Sequence, residues 1–201
     1  MNHKICSFLL HCCASIVIFI VAFVLDPTIC ATGLNNRSLL IQESFVDSFP
    51  VPTNVDRLLF YIQRDPNTNT ICYQLNLDRN GKLDESNPIH PFWIRFPEGG
   101  IRKELNFIQR KFAYGINSKK LGIDHFDIRS VAYNKLPMRL KKDVRGKFHV
   151  YASINNQEAI LERIFIRIGD GGTFWSPDVK YIELRGVEVE SGKKVLQRFK
   201  P

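Results

Sequence analysis

Cysteine is scarce in this sequence beyond the N-terminal 30 residues, and its scarcity excludes several kinds of site. Of the five cysteines in the chain, only Cys72 lies outside that region. One cysteine cannot form an internal disulfide, and structural zinc sites need clustered cysteine or histidine ligands, which His90, His125 and His149 do not provide. We therefore predict no metal site of this kind. Cys72 lies in the alternating TICYQL, and we expect a buried structural thiol rather than a reactive one.

Signatures of nucleic-acid and cofactor binding are also missing. The chain has no aromatic RNP string and no Cys/His finger, and the glycine-rich GDGGTFW (169–175) lacks the Lys-Ser/Thr ending of a phosphate-binding loop. The net charge is +8, but basic and apolar residues alternate, as in RLKK (139–142) and ERIFIRI (162–168). This alternation favours a solvated sheet face. We predict no nucleic-acid partner and no cofactor, in a basic protein whose field attracts anionic ligands or acidic partners.

One long hydrophobic run is present, at the N-terminus. Residues 5–25 (ICSFLLHCCASIVIFIVAFVL) follow Lys4 and precede small residues near Ala31. This order is typical of a cleaved export signal, but the run is also long enough to span a bilayer. We interpret residues 1–31 as a signal peptide or signal anchor. The rest of the chain is then secreted or extracytoplasmic, either released or held as a single-pass protein by residues 5–25.

The rest of the chain divides into an arm and a domain. Residues 32–54 mix polar with single apolar residues and include two prolines, which is typical of an extended polar arm. The arm carries the glycosylation acceptor pattern NRS at Asn36. Residues 55–201 have the ordinary length of one domain, and we interpret them as a single β-rich domain.

Most of this domain has the period-two alternation of β-strands. Eight segments rich in β-branched and aromatic residues predict strands: 57–64, 70–78, 89–96, 125–133, 147–154, 158–168, 179–189 and 194–199. Between the first two, Asp65-Pro66-Asn67-Thr68-Asn69-Thr70 is dense in turn formers and predicts a turn.

One segment has a helical period instead. Residues 101–115 carry charges on one face, end in Gly115, and place four apolar residues on a single stripe: Ile101, Leu105, Ile108 and Phe112. Short links and the lack of a recurring β-α-β unit favour an antiparallel sheet. We predict a mainly β fold, an antiparallel β-barrel or sandwich of about eight strands. The helix is inserted between the third and fourth strands and packs across the sheet.

The stretch NLDRNGKLDESN (76–87) resembles a calcium-binding loop. Oxygen ligands would fall at Asn76, Asp78, Asn80 and Asp84, but the preceding segment is strand-like and the last position holds Asn87 instead of Glu. Its Asn-Gly dipeptide is typical of a type I′ hairpin turn. We predict a hairpin, with a weak surface cation site at Asp78, Asn80 and Asp84 as the alternative.

Four strings in the domain resemble a known family: FYIQRDPNTNTICY (60–73), PIHPFWIRF (88–96), ELNFIQRKFAYG (104–115) and YIELRGVEVESGKKVLQRFKP (181–201). They are similar to exported proteins catalogued as domain of unknown function 4833. The resemblance implies an exported single domain, common in bacteria that have an outer membrane. It implies no activity, cofactor or catalytic residue.

The functional hypothesis rests on Trp93, Arg95 and Tyr114, near the ends of a strand and of the helix. Aromatic rings and a guanidinium could hold a sugar, a carboxylate or an acyl chain, whereas core packing and a surface charge are the alternative. We therefore predict an uncharacterised exported protein that is a non-catalytic binding module. Its partner is a small amphipathic or anionic ligand, lipid-like or a glycan.

Two other functions stay open. A hydrolase would use His125, which lies between Asp124 and Asp127, or a Glu98/Glu104 carboxylate pair. A surface-anchored interaction protein would use its basic face and the aromatic residues of the 169–175 loop, which otherwise fold back on the sheet.

Overall fold

The computed structural model of the protein describes residues 48–172 and 177–201. The predicted leader 1–31, with its hydrophobic run, and the acceptor Asn36 lie outside these residues. Phe174 and Trp175, the aromatic residues of the predicted 169–175 loop, also lie outside the described residues. In the described ranges, no helix is both long and apolar enough to cross a bilayer.

Eleven strands form one sheet in the described residues. They are β1 (Leu58–Asp65), β2 (Asn67–Leu75), β3 (Ile89–Arg95), β4 (Ile101–Glu104), β5 (Ile116–Gly122), β6 (His125–Ser130), β7 (Met138–Lys142), β8 (Phe148–Ile154), β9 (Gln157–Gly172), β10 (Pro177–Glu188) and β11 (Lys194–Phe199). A 3-10 turn, Phe96–Glu98, follows β3. The helix α1 lies between β4 and β5, and it begins as Phe107–Gln109 and continues as a π-helical turn over Arg110–Tyr114.

Strand β9 organises the sheet. One edge of β9 pairs with β10 along most of its length, and β10 pairs in turn with β11. The opposite edge pairs first with β8, where Ile160 faces Tyr151, and then with β1, where Arg163 faces Tyr61. Two wings of the sheet, β1-β2-β3-β4 and β8-β7-β6-β5, therefore leave the same edge of β9. The sheet curls into a half-barrel, and every described strand pair is antiparallel except β1 with β9.

Both wings and β10 contribute to one main hydrophobic core. Phe60 and Tyr73 come from the first wing, Phe126 and Leu140 from the second, and all four are at most 1% exposed. The rings of Phe60 and Tyr73 stack with their centroids 4.3 Å apart. Leu184 of β10 is buried with them. Because side chains alternate between the faces of a strand, the period-two pattern places these residues on one side of the sheet.

The mainly β fold with one inserted helix is confirmed, and each of the eight predicted segments contains a strand. The structure adds β4, β5 and β7. The helix lies between the third and fourth predicted strands, 89–96 and 125–133, but it begins later than predicted, because Ile101–Glu104 is a strand that pairs with β3. A capping box sets its start, because the Asn106 side chain accepts from the Gln109 amide and the Gln109 side chain accepts from the Asn106 amide. This local cap determines where the helix begins.

The predicted packing of the helix is wrong. Of the apolar stripe, Leu105 is buried, but Ile108 and Phe112 are each 57% exposed, and α1 contains no buried residue. The helix is tied to the core at its end, where the Tyr73 hydroxyl donates to the Tyr114 carbonyl over 3.0 Å. Phe107, Ile108 and Phe112 are therefore exposed to solvent, while Tyr114 at the end of the helix packs on the core.

Two segments predicted as turn or loop are strand. Asn67–Thr70 belongs to β2, because its backbone pairs with β1 directly after Pro66. Residues 169–172 of the glycine-rich segment continue β9 and pair with β10. A Cβ on Gly169 would lie 2.3 Å from the Lys180 side chain, so glycine leaves room for that side chain to cross the strand.

The 76–87 stretch is a hairpin, as predicted, with Leu77 bridged to Leu83. The turn is not of type I′, since Gly81 has a φ of +74° while Asn80 is outside the left-handed region. The positive φ at one position fits a turn followed by a single left-handed glycine. The Asn-Gly signal therefore predicted the hairpin but not its turn type.

Candidate functional site

The predicted ligand-binding residues lie where β3 approaches the end of α1. Trp93 and Arg95 share one face of β3. The Trp93 and Tyr114 rings meet edge to face, with centroids 5.0 Å apart and planes at 74°, and both pack against the main core. Arg95 forms an ion pair with Glu98 over 2.6 Å. The structure brings the two rings together and turns Arg95 toward the 3-10 turn, and ligand binding by these residues stays a prediction.

The histidine of the hydrolase hypothesis is not held by a carboxylate. Asp124 pairs with Lys142 over 2.6 Å, and Asp127 pairs with Arg129 over 3.1 Å. The His125 Nε2 atom is buried and has no hydrogen-bond partner in the described part of the chain. A general base needs a group that orients its ring, and neither flanking carboxylate does so here.

The two glutamates of that hypothesis have separate cationic partners. Glu98 pairs with Arg95, while Glu104 pairs with His90 over 2.8 Å and with Arg110 over 2.7 Å. Partial burial acts to raise the pKa of Glu104, but the hydrogen bond and charge of His90, together with two nearby arginines, lower it below its ordinary value. A paired-carboxylate hydrolase needs one carboxyl group with a raised pKa. Glu104 has the opposite shift.

The two carboxylates of the calcium alternative accept hydrogen bonds within the hairpin. Asp78 Oδ1 accepts from the amides of Asn80 and Lys82 over 2.8 and 2.9 Å. Asp84 Oδ1 accepts from the amide and hydroxyl of Ser86, and that hydroxyl is the main cause of the lowered pKa of Asp84. Within residues 48–172 and 177–201, no three His, Cys, Asp or Glu side chains are grouped to hold a metal ion. Both carboxylates thus stabilise turns.

Two rows of side chains, most of them polar or charged, cross the face of the sheet opposite the main core. We call this the polar face, and its side chains are register neighbours on β1, β9, β10 and β11. One row consists of Tyr61, Arg163, Arg185 and Leu196, and the next consists of Gln63, Phe165, Glu183 and Arg198. Because registered neighbours on adjacent strands lie side by side, side chains distant in sequence form one continuous surface.

Glu183 is a buried charge of the polar face, as is Arg163, which is 4% exposed. The Glu183 side chain is fully buried, and its two oxygens accept from Arg185 Nε over 2.6 Å and from Arg198 Nε over 2.5 Å. A buried carboxylate must be paired to be tolerated. In the sequence, Glu183 is recognisable only as an acidic residue within the alternating pattern of a long strand. That pattern does not show that Arg185 and Arg198 are its partners.

A groove of about 370 Å³ opens on the polar face beside Glu183. We call it the basic groove. Three cationic side chains line it, Arg163, Arg185 and Lys194, against one acidic side chain, Glu162. The remaining lining residues are Val51, Tyr61, Gly186, Val195 and Leu196. The groove therefore combines a positive charge pattern with apolar contact surface.

Gly186 shapes the basic groove through the backbone, and Tyr61 contributes a phenol hydroxyl to it. A Cβ on Gly186 would lie 2.2 Å from the Ile160 carbonyl oxygen, so glycine allows β10 to approach β9 at the register shift after Arg185. Burial raises the pKa of Tyr61 and outweighs the opposing effect of the neighbouring Arg163. The phenol consequently stays neutral at physiological pH and is able to donate a hydrogen bond.

The described end of the predicted arm lies on the polar face. The Phe49 ring meets the Phe165 ring edge to face, with centroids 5.2 Å apart. The Pro50 carbonyl accepts from Gln63 Nε2 over 2.7 Å, and Val51 then lines the basic groove. The arm thereby supplies part of the groove wall.

Cys72 is buried on the same side of the sheet, as the sequence predicts. Burial raises its pKa to about 12, although Arg102 acts in the opposite direction. At about pH 8, we expect alkylation of Cys72 by iodoacetamide in the native protein to be at least about 1000-fold slower than in the denatured protein, because so little thiolate is present. Peptide mass spectrometry separates Cys72 from the other cysteines. Native labelling within tenfold of the denatured rate would contradict a structural role.

The fold and the groove define a small, mainly β protein with a cation-lined surface site. The chain belongs to the family described as Domain of unknown function (DUF4833), whose sequence model matches residues 60–198. The match confirms the family resemblance noted in the sequence, and export stays a prediction. Searches of curated proteins and of solved structures gave no match to the chain.

Proposed function

We propose that the protein is a non-catalytic binding module whose ligand is a small amphipathic anion held in the basic groove. The observation that carries this proposal is that three cations line one concave site: Lys194, Arg185, which also pairs with Glu183, and the largely buried Arg163. Guanidinium groups bind carboxylate and phosphate oxygens with directed hydrogen bonds, and a lysine adds a mobile positive charge. In a partly enclosed site these attractions are stronger than on an open surface.

The rest of the lining suits a ligand that also has an apolar part. Val51, Val195 and Leu196 offer contact to a short alkyl group or to the apolar side of a sugar ring, and the neutral Tyr61 is a hydrogen-bond donor. The volume of about 370 Å³ lies within the range of small-molecule sites. A lipid-like carboxylate or an acidic glycan fits this combination.

The lining favours binding over catalysis. None of its described residues is a histidine, serine or cysteine, and Glu162 is the single carboxylate among them. Nucleophilic hydrolysis needs an activated nucleophile with an adjacent base. The arrangements around His125 and Glu104 described above do not supply one either, so we place the hydrolase second.

Calorimetric titration with hexanoate and its neutral analogue hexanamide tests the proposal. We expect the purified protein to bind hexanoate at least about tenfold more tightly than hexanamide, since only the carboxylate uses the cationic lining. Lys194→Glu should weaken hexanoate binding by about tenfold, through the change of two charge units at the groove. The exposed Lys82 of the 76–87 hairpin gives a control of equal charge away from the groove lining, and Lys82→Glu should change affinity less than about twofold at ordinary ionic strength.

Two outcomes would contradict this assignment. Equal affinities for hexanoate and hexanamide would remove the role of the cations. If Trp93→Ala abolished hexanoate binding while Lys194→Glu left it unchanged, the ligand would bind at the Trp93 and Tyr114 rings instead of in the basic groove.

A further inference from the structure

Helix α1 presents a patch of large apolar side chains to solvent. Phe107 is 72% exposed, and Ile108 and Phe112 are each 57% exposed. Lys111 lies between the two rings, with Nζ 5.5 Å from the Phe107 centroid and 5.3 Å from the Phe112 centroid. We call these four residues the α1 patch. Their contacts with the same ammonium group show that the two rings belong to one continuous surface.

The elements on both sides of α1 are basic edges of the sheet. β4 precedes the helix and carries the exposed Arg102, Lys103 and Glu104, and β5 follows it and carries the exposed Lys119 and Lys120. Lys120 is paired with Glu85 over 2.5 Å. The two strands that flank α1 in the chain therefore each carry a net positive charge, the same sign as Lys111.

We propose that the α1 patch docks on an anionic lipid bilayer surface. In this arrangement Phe107, Ile108 and Phe112 enter the boundary between headgroups and acyl chains, while Lys111 stays level with the lipid phosphates. Short amphipathic helices with aromatic residues and lysine bind bilayers in this way, through buried apolar area and attraction to anionic lipids. Lysine stems extend along apolar surface and keep their charge in the polar layer.

Charge selects the bilayer among the surfaces that could cover the patch. A second copy of the chain on this patch would bring two Lys111 side chains together, and like charges across an interface oppose association. An anionic membrane instead meets both properties of the patch at once, the apolar rings and the central cation. No residue of the α1 patch lines the basic groove, so docking of the patch is independent of the ligand held there.

Local fluorescence quenching in the full chain tests this docking. Phe112→Trp adds a tryptophan within the patch, and Val144→Trp adds one at a fully exposed position in the turn between β7 and β8. Each variant is mixed with vesicles of brominated phosphatidylcholine with or without phosphatidylglycerol, and the parent chain gives the background. Because the signal is local, binding of the N-terminal residues to the vesicles does not imitate it.

We expect brominated anionic vesicles to quench most of the emission added by Phe112→Trp and little of that added by Val144→Trp. Adding Lys111→Glu to the Phe112→Trp variant should weaken the lipid dependence of quenching by about tenfold, because it replaces an attractive charge with a repulsive one. Equal quenching at the two positions would overturn the proposal. So would quenching that is the same in neutral and anionic vesicles, or emission at Phe112→Trp that responds only to an added acidic protein.

Discussion

Replacing Glu183 with glutamine is expected to lower the free energy of unfolding by about 3 to 5 kcal/mol. The fully buried carboxylate accepts from Arg185 and Arg198, and the side chains of these arginines are only 24% and 18% exposed. The amide keeps the shape of the side chain but removes the negative charge. Two guanidinium groups are then left partly buried without their counter-charge, and this desolvation is the source of the loss.

Chemical denaturation followed by circular dichroism measures this effect. Glu162 is an exposed carboxylate on the neighbouring strand β9, so Glu162→Gln is a matched control. We expect the control to change stability by no more than about 0.5 kcal/mol. If Glu183→Gln were equally mild, the ion pairs would contribute nothing to the folded state.

Tyr73→Ala is expected to cost about 3 to 5 kcal/mol, as for other large aromatic residues of a core. The side chain is fully buried, its ring stacks on Phe60, and its hydroxyl binds the Tyr114 carbonyl at the end of α1. Truncation therefore removes core volume and also the link between the sheet and the helix.

Tyr73→Phe separates these two contributions. It keeps the stacked ring and removes the hydroxyl, so we expect a loss of about 1 kcal/mol in the same unfolding experiment. Hydrogen exchange should show the loss locally, as faster exchange of amides in α1. Equal destabilisation by the two variants would mean that the hydrogen bond, and not the ring, holds this region together.

The alternating pattern predicted eight of the eleven described strands. It missed β7, a five-residue strand whose Met138 and Leu140 are buried, because its basic residues indicated only a solvated sheet face. The pattern also did not predict β5, whose residues after Ile116 are all exposed and which pairs with β6 alone. An edge strand of this kind forms through backbone hydrogen bonds to its neighbour, and these leave no apolar pattern in the sequence. The charged Ile101–Glu104 was assigned to a helix for the same reason, although it pairs with β3.

The candidate site was less predictable than the fold. The basic groove depends on the register that places Tyr61 beside Arg163 and Arg163 beside Arg185. No local pattern relates β1 to β9, since the pairing is parallel and joins distant parts of the chain. The aromatic pair Trp93 and Tyr114 was found because aromatic residues are conspicuous in sequence, whereas ordinary arginines and lysines on strands are not.

The shared edge of β9 has a consequence for how the chain acquires its structure. β1 and β8 both need that edge, and β1 reaches its partner only across about 100 residues of sequence, as Tyr61 opposite Arg163 shows. Contacts of such separation form late and slowly. Until β9 leaves the ribosome, both wings have an unpaired inner strand, and unpaired strands are templates for association with other chains. The nascent chain should therefore be most prone to associate with other chains until residues 157–172 have left the ribosome.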